Sequence, residues 1–266
     1  MLPIIQFAVG AAAALILMRQ RRIYRQALRL GSATLETLLN AIDANDEETG
    51  SHVRRVAQYA LELADAAGLS EHEKRSVERV ALFHDIGKIH EALFDILHDT
   101  EKLSPESWEA IRTHPQRGAD VLEPLCAFYP DLPIGVLAHH ERWDGTGYPR
   151  GRKGRHIPLT ARIVAIVDAF DAITHGRRYS RARALRVATE ALLSGRGTQF
   201  DPDLVDLFLS PVVQECVANV RVEPGGRIKG NNRRGERVQS APDLIFRWRP
   251  AKPARRPRRH RRRTAR

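Results

Sequence analysis

His52, the pair His84-Asp85, His114, the pair His139-His140 and Asp168 recur along this 266-residue chain at intervals of 32, 30, 25 and 28 residues. Each interval is roughly one helix plus one loop. A helical bundle that takes a ligand from each helix onto one inner face has such spacing. Seven nitrogen and oxygen donors without sulfur suit two borderline or hard divalent ions, Fe or Mn in particular. Asp168 argues hardest for a cation, because it lies inside the apolar run Ile163-Val-Ala-Ile-Val-Asp-Ala-Phe-Asp-Ala-Ile173. A carboxylate there needs a compensating charge, and a metal supplies one. Adjacent His139 and His140 point about 100° apart on a helix, so they cannot both face one core. At a helix end they can converge while the chain turns away. Gly145 and Gly147, closed by Tyr148-Pro149, provide that turn.

The elements that must position these groups read as all-helical. Aromatics are few at 6%, Ala and Leu abound, and no sustained alternation of apolar and polar residues marks strands. The periodicity predicts a helix over Ile23–Ala44 and a second one capped by Thr49 and stopped by Gly68. Ser70 with Glu73 forms a capping box for a third, which ends at His84-Asp85. Ser104-Pro105-Glu106 opens a helix to Leu122 with His114 inside it, and Ile134–His140 forms a short one. Ile157-Pro158 starts an apolar helix to Ile173, followed by helices over 181–194 and 202–217.

Charge divides the chain. Of the net +11, residues 221–266 carry +14 and residues 19–29 carry +5, which leaves −8 for residues 30–220. An acidic, His-rich body suits a divalent-metal site better than a nucleic-acid groove, and no nucleic acid is required. Leu2–Met18 is apolar except for Gln6 and is followed at once by Arg19, Arg21 and Arg22. This predicts a single-pass anchor over 1–22, with the rest of the chain on the cytoplasmic side. The alternative is a peripheral apolar helix on a cytoplasmic protein. Residues 23–220 make the globular domain. Residues 221–266 read as a disordered basic tail whose arginines, like those of 19–29, suit an anionic membrane surface. Cys126 and Cys216 fit neither a disulfide framework nor a Cys-type metal site.

The ordered set His52, His84-Asp85-Ile-Gly-Lys88, His114, His139-His140, Trp143-Asp-Gly-Thr-Gly-Tyr-Pro149 and Asp168 resembles the HD-GYP family over about residues 33–210. These are bacterial HD-superfamily phosphodiesterases of cyclic di-GMP. The resemblance implies an all-α HD-type bundle with a metal centre on its inner face, and an inner-membrane location for the anchor. It gives His52, His84, Asp85, His114, His139, His140 and Asp168 as metal ligands, with Asp85 bridging two ions. Glu48 matches a carboxylate that some members use for a third ion. Lys88 matches a lysine on a phosphate oxygen, and Arg177 an arginine that grips the substrate phosphate. Gly147 and Tyr148 belong to a loop that shapes the pocket and meets signalling partners of the GGDEF type. The implied reaction is attack of a metal-activated hydroxide on phosphorus, giving pGpG or GMP. Two stretches depart from the family. Ile89-His-Glu-Ala-Leu-Phe-Asp-Ile-Leu97 replaces a Gly-Ile-Pro stretch. Arg178-Tyr179-Ser180 lacks the usual second phosphate grip, for which Arg178, Arg181 or Arg183 could substitute. The alternatives are a hydrolase of another cyclic dinucleotide and a catalytically weak module that binds nucleotide or partner proteins.

Overall fold

The computed structural model describes residues 2–89, 105–175, 181–222 and 228–229; of residues 2–9, 11, 45, 47, 89, 105–107, 181–183, 221–222 and 228–229 it describes the backbone alone. Ten α-helices are described: α1 (Leu2–Asn45), α2 (Glu47–Ala66), α3 (Glu71–Phe83), α4 (Pro105–Ile111), α5 (His114–Leu122), α6 (Asp131–Ala138), α7 (Leu159–Thr174), α8 (Arg181–Gly195), α9 (Pro202–Phe208) and α10 (Pro211–Ala218). The departures from an all-helical chain among these residues are a two-residue antiparallel ladder, Arg221–Val222 with Ile228–Lys229, and an isolated parallel bridge between Arg196 and Phe200. The tail from residue 230, expected to lack regular structure, lies outside the described residues.

Helix α2 is the axis of the domain, packed by α1, α3, α7, α9 and α10. Its apolar stripe of Val53, Val56, Ala57, Ala60, Leu63 and Ala64 is buried, as the 3.6-residue period requires. Leu35, Leu39 and Ile42 of α1 close one side, and Ile163, Ile166, Val167 and Phe170 of α7 close another. Shortening a fully buried leucine such as Leu63 to alanine should cost about 2–5 kcal/mol.

Helix α1 runs unbroken for 44 residues through both the expected anchor and the expected first domain helix. Leu15, Ile16, Leu17 and Met18 on it are exposed. Among the described residues, no helix is long and apolar enough to cross a membrane. Much of the expected anchor lies at side chains that are not described.

Several helix ends differ from expectation, each for a local reason. Asp46, not Thr49, caps α2: its carboxylate accepts from Glu48 N at 3.0 Å and Thr49 N at 3.2 Å. An ionised acceptor one residue before the helix outcompetes a hydroxyl already inside it. The Ser70–Glu73 capping box forms as read. The expected Ser104–Leu122 helix breaks after Ile111, and His114 opens α5 with Pro115 behind it, because proline biases the residue before it away from a continuing helix. Pro211 splits 202–217 in the same way. The short helix before His139 starts earlier, at Asp131, since Pro133 in its first turn has no amide to lose.

Candidate metal centre

Two turns bring the histidine-bearing helix ends together. After α3 the chain passes His84-Asp85 into a 3-10 turn, Ile86–Ile89. That turn lies on the start of α5. A Cβ at Gly87 would overlap the His114 carbonyl and meet Gly118 N at 2.7 Å, so only glycine allows the approach. After α6 ends at Ala138, His139 and His140 face inward and the chain folds back on itself. Tyr148 N donates to the His140 carbonyl at 3.2 Å. Gly147 has no room for a side chain: a Cβ would overlap Arg142 N and lie 2.6 Å from the His140 carbonyl oxygen. Buried Glu141 fastens this loop by accepting from Arg150 N at 2.8 Å and Arg152 N at 2.9 Å.

The ligand atoms fall into two groups. His52, His84 and Asp85 form one, and His114, His139 and His140 the other; within each group the donor atoms lie within 4.8 Å of one another. Asp168 joins the first, with Oδ1 3.3 Å from His52 Nε2 and 3.6 Å from His84 Nε2. Asp85 stands between the two. Its Oδ1 is 3.3 Å from His114 Nε2 and 4.0 Å from His139 Nε2, while Oδ2 is 3.5 Å from His84 Nε2. The His84 and His139 rings meet edge to face at 5.2 Å.

One local device orients three of the rings. His84, His114 and His139 each donate Nδ1–H to the carbonyl three residues earlier: Ala81 at 2.8 Å, Ile111 at 2.8 Å and Val136 at 2.6 Å. A carbonyl only accepts, so Nδ1 carries a proton in each ring and Nε2 is the atom turned inward. His84 Nε2 is buried and has no hydrogen-bond partner. His114 Nε2 and His139 Nε2 face each other at 3.2 Å, which requires a shared proton or a cation between them. Burial, then the His140, His84 and His114 charges, hold His139 well below the usual histidine range. Burial and His114 bring His140 down to about 4. Imidazoles whose Nε2 atoms face inward, with His139 and His140 held neutral beside anionic carboxylates, are the donor set a divalent cation takes. The residues therefore fit the metal ions that their spacing implied.

The carboxylate side is charged differently. Burial opposes ionisation of Asp85, but Lys88 and His84 outweigh it and keep the carboxylate well below its usual range. Asp168 behaves alike, held down by His52 and His84 against its burial. Burial also opposes the His52 cation, yet hydrogen bonds to Asp168 and Asp171 carry that imidazole up to about 10. An entering cation must displace the His52 proton. Lys88 Nζ lies 2.6 Å from Asp85 Oδ2. Burial lowers its affinity for a proton, and Asp85 more than restores it.

Other expected site residues stand further off. Glu48 is exposed and belongs to neither group; its charge acts on Arg55. Arg177 lies outside the described residues, as does the segment after Ile89, and Arg181 opens α8 with its side chain undescribed. Tyr148 stacks on His140, centroids 5.0 Å apart, and the Arg112 guanidinium carbon lies over the Tyr148 ring, 4.7 Å from its centroid. Burial pushes the Tyr148 phenol up to about 12, against the pull of Arg112 and with a push from Asp85 and Asp168.

Sequence reasoning passed over Asp171, which is buried behind the first group. It accepts from His52 Nδ1 at 2.8 Å, from Arg55 Nε and Nη2 at 2.8 Å each, and lies 3.0 Å from His175 Nδ1. The signal was present as a second aspartate one helical turn after Asp168 in the same apolar run. Nothing in local spacing pointed to Arg112 or to Glu141.

The HD domain family pattern matches residues 36–204, more than half of the chain, and the chain belongs to that family. Among individual proteins, it is 39% identical over 178 residues to the cyclic di-GMP phosphodiesterase response regulator RpfG of Xanthomonas campestris, covering 66% of this chain and 47% of that protein. It is 38% identical over 174 residues to the 3'3'-cGAMP-specific phosphodiesterase 2 of Vibrio cholerae, covering 65% of this chain and 33% of that protein. The chain thus spans about a third to a half of the length of these relatives. In fold it is similar to the cyclic GMP-AMP specific phosphodiesterase V-cGAP3 of V. cholerae, with a TM-score of 0.51 at 23% identity over 71% of this chain and 49% of that one.

Proposed function

We propose that this chain is a metal-dependent phosphodiesterase of cyclic dinucleotides, cyclic di-GMP first among them, yielding pGpG or GMP. The observation that carries the reading is Asp85, whose two oxygens face two separate histidine groups while Lys88 rests on one of them. His52, His84 and Asp168 would hold one divalent ion and His114, His139 and His140 the other, with Asp85 shared. A bound pair of such ions, Fe or Mn, supplies Lewis acidity and activates water. The protein's own part is to aim three imidazoles inward through their Nδ1–H bonds, and to keep Asp85 and Asp168 ionised. The Lys88 ammonium would neutralise a non-bridging phosphate oxygen, and Arg177 a second one. Tyr148 and Gly147 would form the pocket wall beside His140. A third ion at Glu48 is the weaker part of this reading, given its exposure.

The test is incubation of the full chain, loaded with Mn or Fe, with cyclic di-GMP and product chromatography. Linear dinucleotide or GMP is expected, and Asp85→Ala should abolish it. Absence of both products from the wild type would sink the reading. The name of the V. cholerae relative favours including 3'3'-cGAMP beside cyclic di-GMP, and faster turnover of that hybrid would reassign the substrate.

We also propose that the exposed Leu15–Met18 turn with Arg19, Arg21 and Arg22 holds the chain at the bacterial inner membrane, catalytic domain in the cytoplasm. The Gly-Tyr-Pro loop would be open to a GGDEF-type partner. Fractionation of cells that express the chain with and without residues 1–22 tests the first; an unchanged distribution contradicts it.

A further inference from the structure

A cyclic dinucleotide carries two phosphates, and the metal centre engages one. The other needs a cationic contact at some distance from the metals, on a surface the ligand can reach. Arg112 has those properties. It sits in the turn between α4 and α5, two residues before His114, and its side chain is 47% exposed. Its guanidinium carbon lies over the Tyr148 ring, 4.7 Å from the centroid, and that ring stacks on His140 with centroids 5.0 Å apart, so Tyr148 links it to a candidate ligand ring. The contact holds the guanidinium over the ring while about half of the side chain stays exposed. Among the described residues its one ion pair is a 4.0 Å approach to Glu109, which is itself 79% exposed. An arginine held over an aromatic ring and still half exposed offers a fork of N–H donors matched to a phosphate.

We infer that Arg112 is a specificity-determining residue that binds the second phosphate of the dinucleotide, with Tyr148 as the platform that aims it. The inference rests on the cyclic dinucleotide reading above. It also accounts for a chain whose sequence Arg178-Tyr179-Ser180 departs from the family's second phosphate grip: the contact comes from the turn before His114.

The experiment compares wild type, Arg112→Met and Arg112→Lys as full chains loaded with Mn. Three readouts are taken: steady-state hydrolysis of cyclic di-GMP, hydrolysis of bis(p-nitrophenyl) phosphate, which has a single phosphate, and calorimetric binding of a hydrolysis-resistant phosphorothioate analogue of cyclic di-GMP. Loss of one charged hydrogen bond to a phosphate should raise KM and the analogue's Kd about ten- to hundredfold in Arg112→Met. The loss on cyclic di-GMP should exceed that on the single-phosphate diester by about tenfold, with bound Mn per chain unchanged. Arg112→Lys should recover part of the affinity, as charge returns without the planar stack. Equal losses on both substrates together with lost Mn would make Arg112 a brace for Tyr148 and His140, and overturn the assignment. Equal analogue binding by wild type and Arg112→Met would overturn it too. Arg112-dependent binding by a wild type that turns nothing over would uphold the phosphate contact and overturn the proposed activity instead.

Discussion

Asp171 is 1% exposed and outside both ligand groups, yet hydrogen bonds from His52 and Arg55 end on it and His175 lies beside it. Asp171→Asn keeps the shape and removes the charge. Arg55, with a side chain 16% exposed, would then lose its paired carboxylate. Breaking a fully buried ion pair from one side costs about 3–5 kcal/mol, and the residual exposure of Arg55 brings this to about 2–3 kcal/mol. His52 would lose the anion that orients its ring. Losing such an outer contact lowers metal affinity about 10–100-fold. Urea denaturation of the metal-free chain reads the first effect, and Mn competition with a chelator reads the second. The pH dependence gives a further check. Burial opposes ionisation of Asp171, but Arg55, His175 and His52 hold its carboxyl well below the usual range. With a depressed folded-state pKa, its stabilisation is complete above the unfolded value of about 3.9 and is lost as pH falls through the folded one. The gap between wild type and Asp171→Asn should therefore be flat near neutrality and shrink below about pH 4. A variant within about 0.5 kcal/mol of wild type that binds Mn as tightly would refute the reasoning.

Three further outcomes follow from the geometry. Gly147→Ala forces a methyl group into the Arg142 amide and the His140 carbonyl; the loop should lift, and proteolysis at 142–152 should accelerate while the rest of the chain resists. His84→Phe removes the Nδ1–H that the Ala81 carbonyl accepts and the imidazole that holds Asp85 and Asp168 down, so the metal-free chain should lose about 1–3 kcal/mol while Mn bound per chain falls by one. Metal uptake should release protons, since His52 sits near 10 and must become neutral to ligate, whereas His140 at about 4 has none to give. Mn affinity should thus rise with pH between about 6 and 9, and a flat profile with no proton release would show that His52 is not a ligand.

The His/Asp cluster was legible because a metal site would need particular residues at particular helix ends. His52, His84, Asp85, His114, His139 and His140 are the six residues of the two groups, and Asp168 touches the first. Helix existence was legible as well, from the apolar period of α2 and α7. The breaks before His114 and Pro211 were harder to see. A proline beyond the first turn can kink a helix or start a new one, and tertiary packing decides between them. Asp171 and Glu141 were hidden for another reason. Each works by accepting hydrogen bonds from residues distant in sequence or from backbone amides. A sequence shows only that a carboxylate is present, not what donates to it. Arg112 was invisible in the same way, since its contact with Tyr148 spans 36 residues of chain and depends on the fold of the Gly-Tyr-Pro loop.

Anomalous diffraction from Mn-loaded crystals of the full chain tests the central claim most directly. Two peaks are predicted about 3.5–4 Å apart, one bonded to His52, His84 and Asp168, the other to His114, His139 and His140, and both within bonding distance of Asp85. A single peak, or two peaks with Asp85 bound to neither, would contradict the account.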